Sequence, residues 1–122
     1  MKYLEATIKE ILRLYPSVPF IRRIIEEDFM LVILYIYDLH RREDLFPEPE
    51  QFRPERFLSG EKMNFTFIPI SQRFAMQEIK YMLSEMVRHF KLFPTVKNFK
   101  PTMKVDLVLR TDDPIRIKFA LR

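Results

Sequence analysis

The 122-residue chain contains no cysteine. That excludes disulfides, zinc ribbons, iron–sulfur ligation and thiolate catalysis. Glycine occurs once, at Gly60, so there is no glycine-rich loop to cradle a phosphate or a dinucleotide, and no Gly-x-Ser-x-Gly elbow. Tryptophan is absent, and the only histidines are His40 and His89. The longest apolar run, Phe29 to Tyr37, is nine residues, where a membrane-spanning helix needs about 20. No transmembrane segment is therefore expected. Met1-Lys2-Tyr3-Leu4-Glu5 carries charge at once and does not resemble a signal peptide. Charge of one sign is also scarce: 21 basic against 17 acidic residues leave +4. The densest basic spots are the pairs Arg22-Arg23 and Arg41-Arg42, not the stripe expected of a nucleic-acid binder, and no nucleic-acid partner is expected.

What is present is apolar and aromatic. Hydrophobic residues at 48% and aromatics at 14% are globular values, enough for one domain with a modest core. Leu4, Ile8, Ile11, Leu12 and Tyr15 recur at helical spacing, predicting an amphipathic helix over 1–15 with Glu5 and Lys9 paired at i,i+4. Pro16 stops it, and Pro19 keeps the next segment extended. Leu31 to Tyr37 is β-branched and aromatic, which predicts a short strand buried on both faces and in need of neighbours. Residues 46–57 hold Pro47, Pro49 and Pro54 among phenylalanines and acids, a spacing that suits an ordered meander or a linker. Gly60 marks a loop. A helix is predicted over 72–92, with Ser71 as N-cap and Ala75, Ile79, Met82, Leu83, Met86 and Phe90 as its apolar face. Val105, Leu107 and Leu109 alternate with polar or smaller positions, as do Ile115, Ile117, Phe119 and Leu121 after Thr111-Asp112-Asp113-Pro114. That pattern predicts a β-hairpin over 104–121.

Glu10 and Arg13 stand at i,i+3 on one helix face. Exposed, such a pair contributes little. Partly buried, it needs its remaining donors satisfied, and a second arginine on a rigid meander could share the carboxylate. Arg56, inside Pro54-Glu55-Arg56-Phe57, is the candidate. Around these residues lie Ile8-Lys9-Glu10, Leu14-Tyr15-Pro16-Ser17-Val18-Pro19, Leu39-His40-Arg41, Phe46-Pro47-Glu48-Pro49-Glu50-Gln51-Phe52 and Phe74-Ala75-Met76-Gln77-Glu78. In that order the set resembles the C-terminal part of the cytochrome P-450 superfamily, closest to the ω-hydroxylase-like family 4 branch seen in insects.

The resemblance implies an α+β, mainly helical fold class: helix, short buried strand, proline-rich meander, long helix and C-terminal β-hairpin, together one partial domain over 1–122. It implies that Glu10, Arg13 and Arg56 form the structural triad that locks the core behind a haem. It also places Arg23 where the family has an arginine on a haem propionate, against the plain alternative of a surface arginine. Complete members are haem-dependent, iron-containing monooxygenases. They are oxidoreductases that insert one oxygen atom from dioxygen into lipophilic, fatty-acid-like molecules, with a reductase partner supplying electrons at the cytoplasmic face of the endoplasmic reticulum.

The departures from the pattern are equally specific. After Phe67-Ile68-Pro69, Ile70 replaces a phenylalanine, and roughly eight residues including the axial cysteine are missing between Ser71 and Gln72. A second gap, where the family has a glycine-containing hairpin, falls between Met30 and Leu31. The oxygen-activating helix would precede Met1. The expectation is thus no catalytic residue, no metal ligand and no bound haem in this chain. The alternative function is a non-enzymatic remnant or interaction fragment, associated with a membrane surface, cytoplasmic or self-associating through uncovered apolar faces.

The histidines do not replace the missing ligand. Asp38, His40, Glu43 and Asp44 match no defined metal-site spacing and read as a solvated turn after the strand. His89, near a helix end, suits the C-terminal dipole. Glu26-Glu27 has no visible apolar pocket and reads as solvated. The junction can be checked directly. Trypsin acting after Lys62 and Arg73 should release the peptide 63–73 from source-tissue protein. Peptides carrying a cysteine loop in its place would show that the sequence as written is not the one made.

Overall fold

A computed structural model describes residues 1–25, 30–58, 66–69, 73–97, 99–106 and 108–122. The chain divides into two compact units: Met1–Ile70 with Leu107–Leu109, and Ser71–Asp106 with Arg110–Arg122.

The first unit opens with α1, Lys2–Leu14. Glu5 and Lys9 pair at 2.9 Å on its surface, as their spacing implies. Tyr15 leaves the helix at φ −130° and ψ 70°, outside the α region that a residue before proline disfavours. The buried face differs from the apolar one read in the sequence. Ala6, Glu10, Arg13 and Leu14, at i, i+4, i+7 and i+8, are buried together with Ile8, whereas Ile11 is 43% exposed and Tyr15 38% exposed. Apolar periodicity assigns charged residues to water by default. Here hydrogen bonds compensate the charged pair, and the buried stripe turns toward it.

Strand β1, Phe20–Ile25, pairs antiparallel with β2, Met30–Tyr35, in a register running from Phe20 opposite Tyr35 to Ile25 opposite Met30. Tyr37 N–H donates to Pro19 O at 3.0 Å and continues the ladder. The predicted strand therefore forms, but it ends at Tyr35, because Ile36–Leu39 winds into the short helix α2. Its burial differs as well: Leu31 is 54% and Tyr35 55% exposed. A two-stranded ribbon saturates one edge of each strand and covers neither face. Ile36, the first residue of α2, is fully buried.

Beyond α2 the chain is an ordered meander rather than a linker. Phe46 N–H donates to Arg42 O at 2.9 Å, Gln51 N–H to Glu48 O at 3.1 Å and Leu58 N–H to Glu55 O at 2.9 Å. Pro54–Phe57 form one 3-10 turn, with the proline at its start where a missing N–H costs nothing. The core of the described chain lies in this unit: Ala6, Ile8, Leu14, Ile36 and Phe46 are its buried hydrophobic residues.

The second unit contains α3, Arg73–His89, followed by β3, Phe90–Pro94. The predicted helix thus turns to strand at Phe90. Ser71 as its cap, the Gly60 loop, Glu26-Glu27 and Leu107 lie outside the described residues. The long hairpin read over 104–121 is replaced by two other pairings. β4, Met103–Val105, pairs with β5, Leu109–Thr111, whereas β6, Ile117–Leu121, pairs with β3. Cross-strand partners share a face. The register sets Phe90 opposite Leu121, Leu92 opposite Phe119 and Pro94 opposite Ile117, so all six fall on one apolar face, with Phe90 and Phe119 edge to face at 5.8 Å. Alternation marks a strand without naming its partner, and this shared face gives β6 a better partner in β3 than the polar 111–114 turn offers.

Truncating Phe46 to Ala should lower the stability of the first unit by about 3–5 kcal/mol in urea denaturation, the usual cost of emptying a fully buried aromatic site. Ile11→Ala, on the exposed face, should cost about 1 kcal/mol or less.

Candidate functional site

Helix α1 presents Glu10 and Arg13 toward the meander, and both side chains are fully buried. Their contact is bidentate: Arg13 Nε donates to Glu10 Oε2 and Nη2 to Oε1, each at 2.9 Å. This planar fork matches carboxylate geometry in a way lysine cannot. Oε1 also accepts the Arg53 backbone N–H at 2.9 Å and Arg56 Nε at 3.3 Å.

Two guanidiniums around one carboxylate leave excess positive charge, and backbone carbonyls absorb it. Arg13 Nη1 donates to His40 O at 2.8 Å, and Nη2 to Gln51 O at 3.4 Å. Arg56 Nη1 donates to Pro47 O at 2.9 Å, and its Nη2 reaches Glu48 O at 3.3 Å and Gln51 O at 3.4 Å. Burial draws the Arg56 guanidinium below its ordinary pKa, against the opposing pull of the Glu10 carboxylate. The Arg13 guanidinium also lies 5.4 Å from the centre of the Phe46 ring. Arg13, three residues along α1, and Arg56, 46 positions away, are thus brought onto the one Glu10 carboxylate.

Sequence reading misses several members of the network. The Arg53 N–H and the carbonyls of His40, Pro47, Glu48 and Gln51 are backbone groups, which side-chain identity does not encode. Glu48 occupies the left-handed region at φ 52°, and its carboxylate pairs with the Arg53 side chain. Arg41, noted in the sequence only as part of a basic pair and a motif, has contacts that the sequence does not reveal. It donates to Leu14 O at 2.7 Å, stacks 3.6 Å from the centre of the Tyr37 ring and pairs with Glu50 at 3.1 Å.

His40 is a correction. Instead of a solvated turn it occupies a fully buried position, with its ring 5.9 Å from Phe46 and 5.3 Å from Phe67. Nε2 accepts the Ile68 N–H at 3.1 Å. Burial, aided by the charges of Arg13 and Arg41, lowers its pKa from 6.5 to about 4, so the ring is neutral near pH 7. Asp44 is engaged by Arg42, whose hydrogen bond holds its carboxyl below the usual range. His89 Nδ1 lies 3.0 Å from Glu85 O, in the last turn of α3. Arg23 is exposed on β1, opposite Val32, and its side chain makes no hydrogen bond or ion pair among the described residues.

This arrangement can be set beside known proteins. A family model described as Cytochrome P450 matches residues 1–119. The chain belongs to the cytochrome P450 family. Probable cytochrome P450 4ac3 of Drosophila melanogaster is 41% identical over 98% of this chain and 28% of the relative. Cytochrome P450 4c3 of the same fly is 35% identical over 100% and 27%. A cyanobacterial CYP120A1 with retinoic acid bound shares 25% identity and a TM-score of 0.81, over 100% of this chain and 33% of that one. The P450 fold is therefore shown, and the chain spans little more than a quarter of the curated relatives it matches. The alignment to Drosophila probable cytochrome P450 4s3 runs over 142 positions and takes in all 122 residues of this chain, which leaves 20 positions of the relative unmatched.

Members of the P450 family use haem, and the donors present here do not fit a thiolate-held iron. Cysteine is absent. Nε2 of His40 is committed to Ile68 N–H inside the core, and the His89 ring is engaged with Glu85. Among the described residues no cluster of three His, Asp or Glu side chains could hold a metal ion.

Removing Arg13 leaves Glu10 as a buried charge short of donors, so Arg13→Ala should cost about 3–5 kcal/mol in thermal or urea unfolding. The paired replacement of Glu10 and Arg13 by Leu and Met should cost less than Arg13→Ala alone, a non-additivity that a double-mutant cycle would measure.

Proposed function

We propose that this chain is the C-terminal scaffold of a haem monooxygenase and that, as written, it is catalytically incompetent. The observation that carries this reading is a complete buried Glu10–Arg13–Arg56 network in a chain without a thiolate donor. In this reading the network is the structural triad of the P450 core, and its chemistry is positional: it fixes α1 against the meander. The activity of the longer relatives would be insertion of one oxygen atom into a lipophilic, fatty-acid-like substrate, with electrons from a reductase, at the endoplasmic reticulum membrane. No helix among the described residues is long and apolar enough to cross a membrane. Arg23 is the one cofactor-contact position carried over, toward a haem propionate. Its exposure and lack of a described partner are compatible with that role, and equally with an ordinary surface arginine.

A second reading is favoured by exposed apolar side chains. Phe74, Tyr81, Phe119 and Leu121 in the second unit and Leu31 and Tyr35 in the first are all more than half exposed. Surfaces of that kind mark contacts with partners, and here they would support a non-enzymatic interaction fragment or self-association.

Haem titration of the purified full chain tests the proposal. The expected result is no stoichiometric uptake and no thiolate-type Soret band after reduction under carbon monoxide. One-to-one uptake with such a band would overturn it.

A further inference from the structure

The segment Thr66–Pro69 packs in the first unit with its side chains half-buried or exposed, and His40 is its hydrogen-bond partner among the described residues. The Ile68 N–H donates to His40 Nε2 at 3.1 Å. Phe67 lies against the His40 ring at 5.3 Å and against Phe57 at 4.9 Å. An Nε2 that accepts cannot carry the ring proton, so the neutral ring holds it on Nδ1, which is buried without a hydrogen-bond partner among the described residues. The ring is thus tied into the core through its accepting nitrogen alone.

The charges facing it are unequal. From α1, Arg13 donates to the His40 carbonyl, with Glu10 bound to the far side of that guanidinium. From the turn after α2 comes Arg41. The remaining ring contacts, Phe46 of the meander and Phe67 of the segment itself, bring no charge. A second proton on His40 would therefore arrive on Nε2, directed at the Ile68 N–H and opposed by the charges of Arg13 and Arg41.

We propose that His40 is an acid-sensitive latch: neutral, it holds Thr66–Pro69 against its own ring and Phe57, and protonated, it releases that segment and uncovers Phe67. The direction follows from linkage. Burial gives His40 less proton affinity in the closed state than the ordinary 6.5, with a value of about 4. The open state then binds more protons between those limits. His40's contribution to closure is full above pH 6.5, and the closing equilibrium weakens as pH falls toward 4, by about tenfold per pH unit for one proton.

Amide exchange at Ile68 in the full chain, corrected for intrinsic rates from pH 7 to 4, reads the latch. Wild-type protection should fall about tenfold per pH unit below 6.5. His40→Gln, whose amide oxygen can still accept the Ile68 N–H but does not titrate, should hold its protection across the range. An equal fall in His40→Gln, or constant protection in the wild type, would overturn the latch. Should that variant not fold, nitrogen-15 titration of the wild-type imidazole decides. A His40 midpoint well below 6.5 shared by the Ile68 amide supports the latch. A ring that titrates while the amide stays unmoved, or an amide already unprotected at pH 7, overturns it.

Discussion

The carboxylate of Glu10 is the group around which the first unit is arranged. A carboxylate with no exposed surface is tolerated only when its lone pairs are filled and its charge is met. Here two Arg13 nitrogens, one Arg56 nitrogen and the Arg53 N–H converge on it. Each donor belongs to a different stretch of chain or is held by a different set of carbonyls, so satisfying one anion fixes α1, the His40 turn and the Pro54–Phe57 turn together. The arginines add a further constraint. With two positive charges on one negative, the carbonyls of His40, Pro47, Glu48 and Gln51 must point inward, and this gives a defined path to a segment too rich in proline for helix or strand.

Such a network specifies position more than it adds net stability, because desolvating three charges offsets much of their attraction. That distinction bears on function. A scaffold of this kind is built from carboxylate, guanidinium and backbone groups, and it forms in a chain without cysteine. The apolar faces tell a complementary story. Strand β2 and the β3–β6 ribbon carry the aromatic and β-branched residues of covered surfaces, yet Leu31, Val32, Ile33, Tyr35, Leu92, Phe93, Ile117, Phe119 and Leu121 are exposed. The relatives are more than three times as long, and patterns of this kind belong to faces that meet other parts of a fold.

Much of the secondary structure was legible locally. Helical spacing placed α1, Pro16 ended it, β-branching marked β2 and alternation marked β6. The three charged residues of the network were legible too, through the order of motifs around them rather than through Glu10 and Arg13 alone. What failed were statements about partners and burial. β6 pairs with β3 instead of with the run across the 111–114 turn, Ile11 faces water while Arg13 does not, and His40 is a core residue instead of a solvated one.

The sequence by itself determined the main helices and the β2 and β6 strands, the family and the absence of a thiolate, because these depend on residue identity and near-neighbour spacing. Only the tertiary structure decided which strand edges meet, which carbonyls absorb the arginine charge and that His40 is buried on the Ile68 N–H. Those outcomes depend on backbone groups and on contacts between residues some 28 to 46 positions apart, for which side-chain identity carries no local signal.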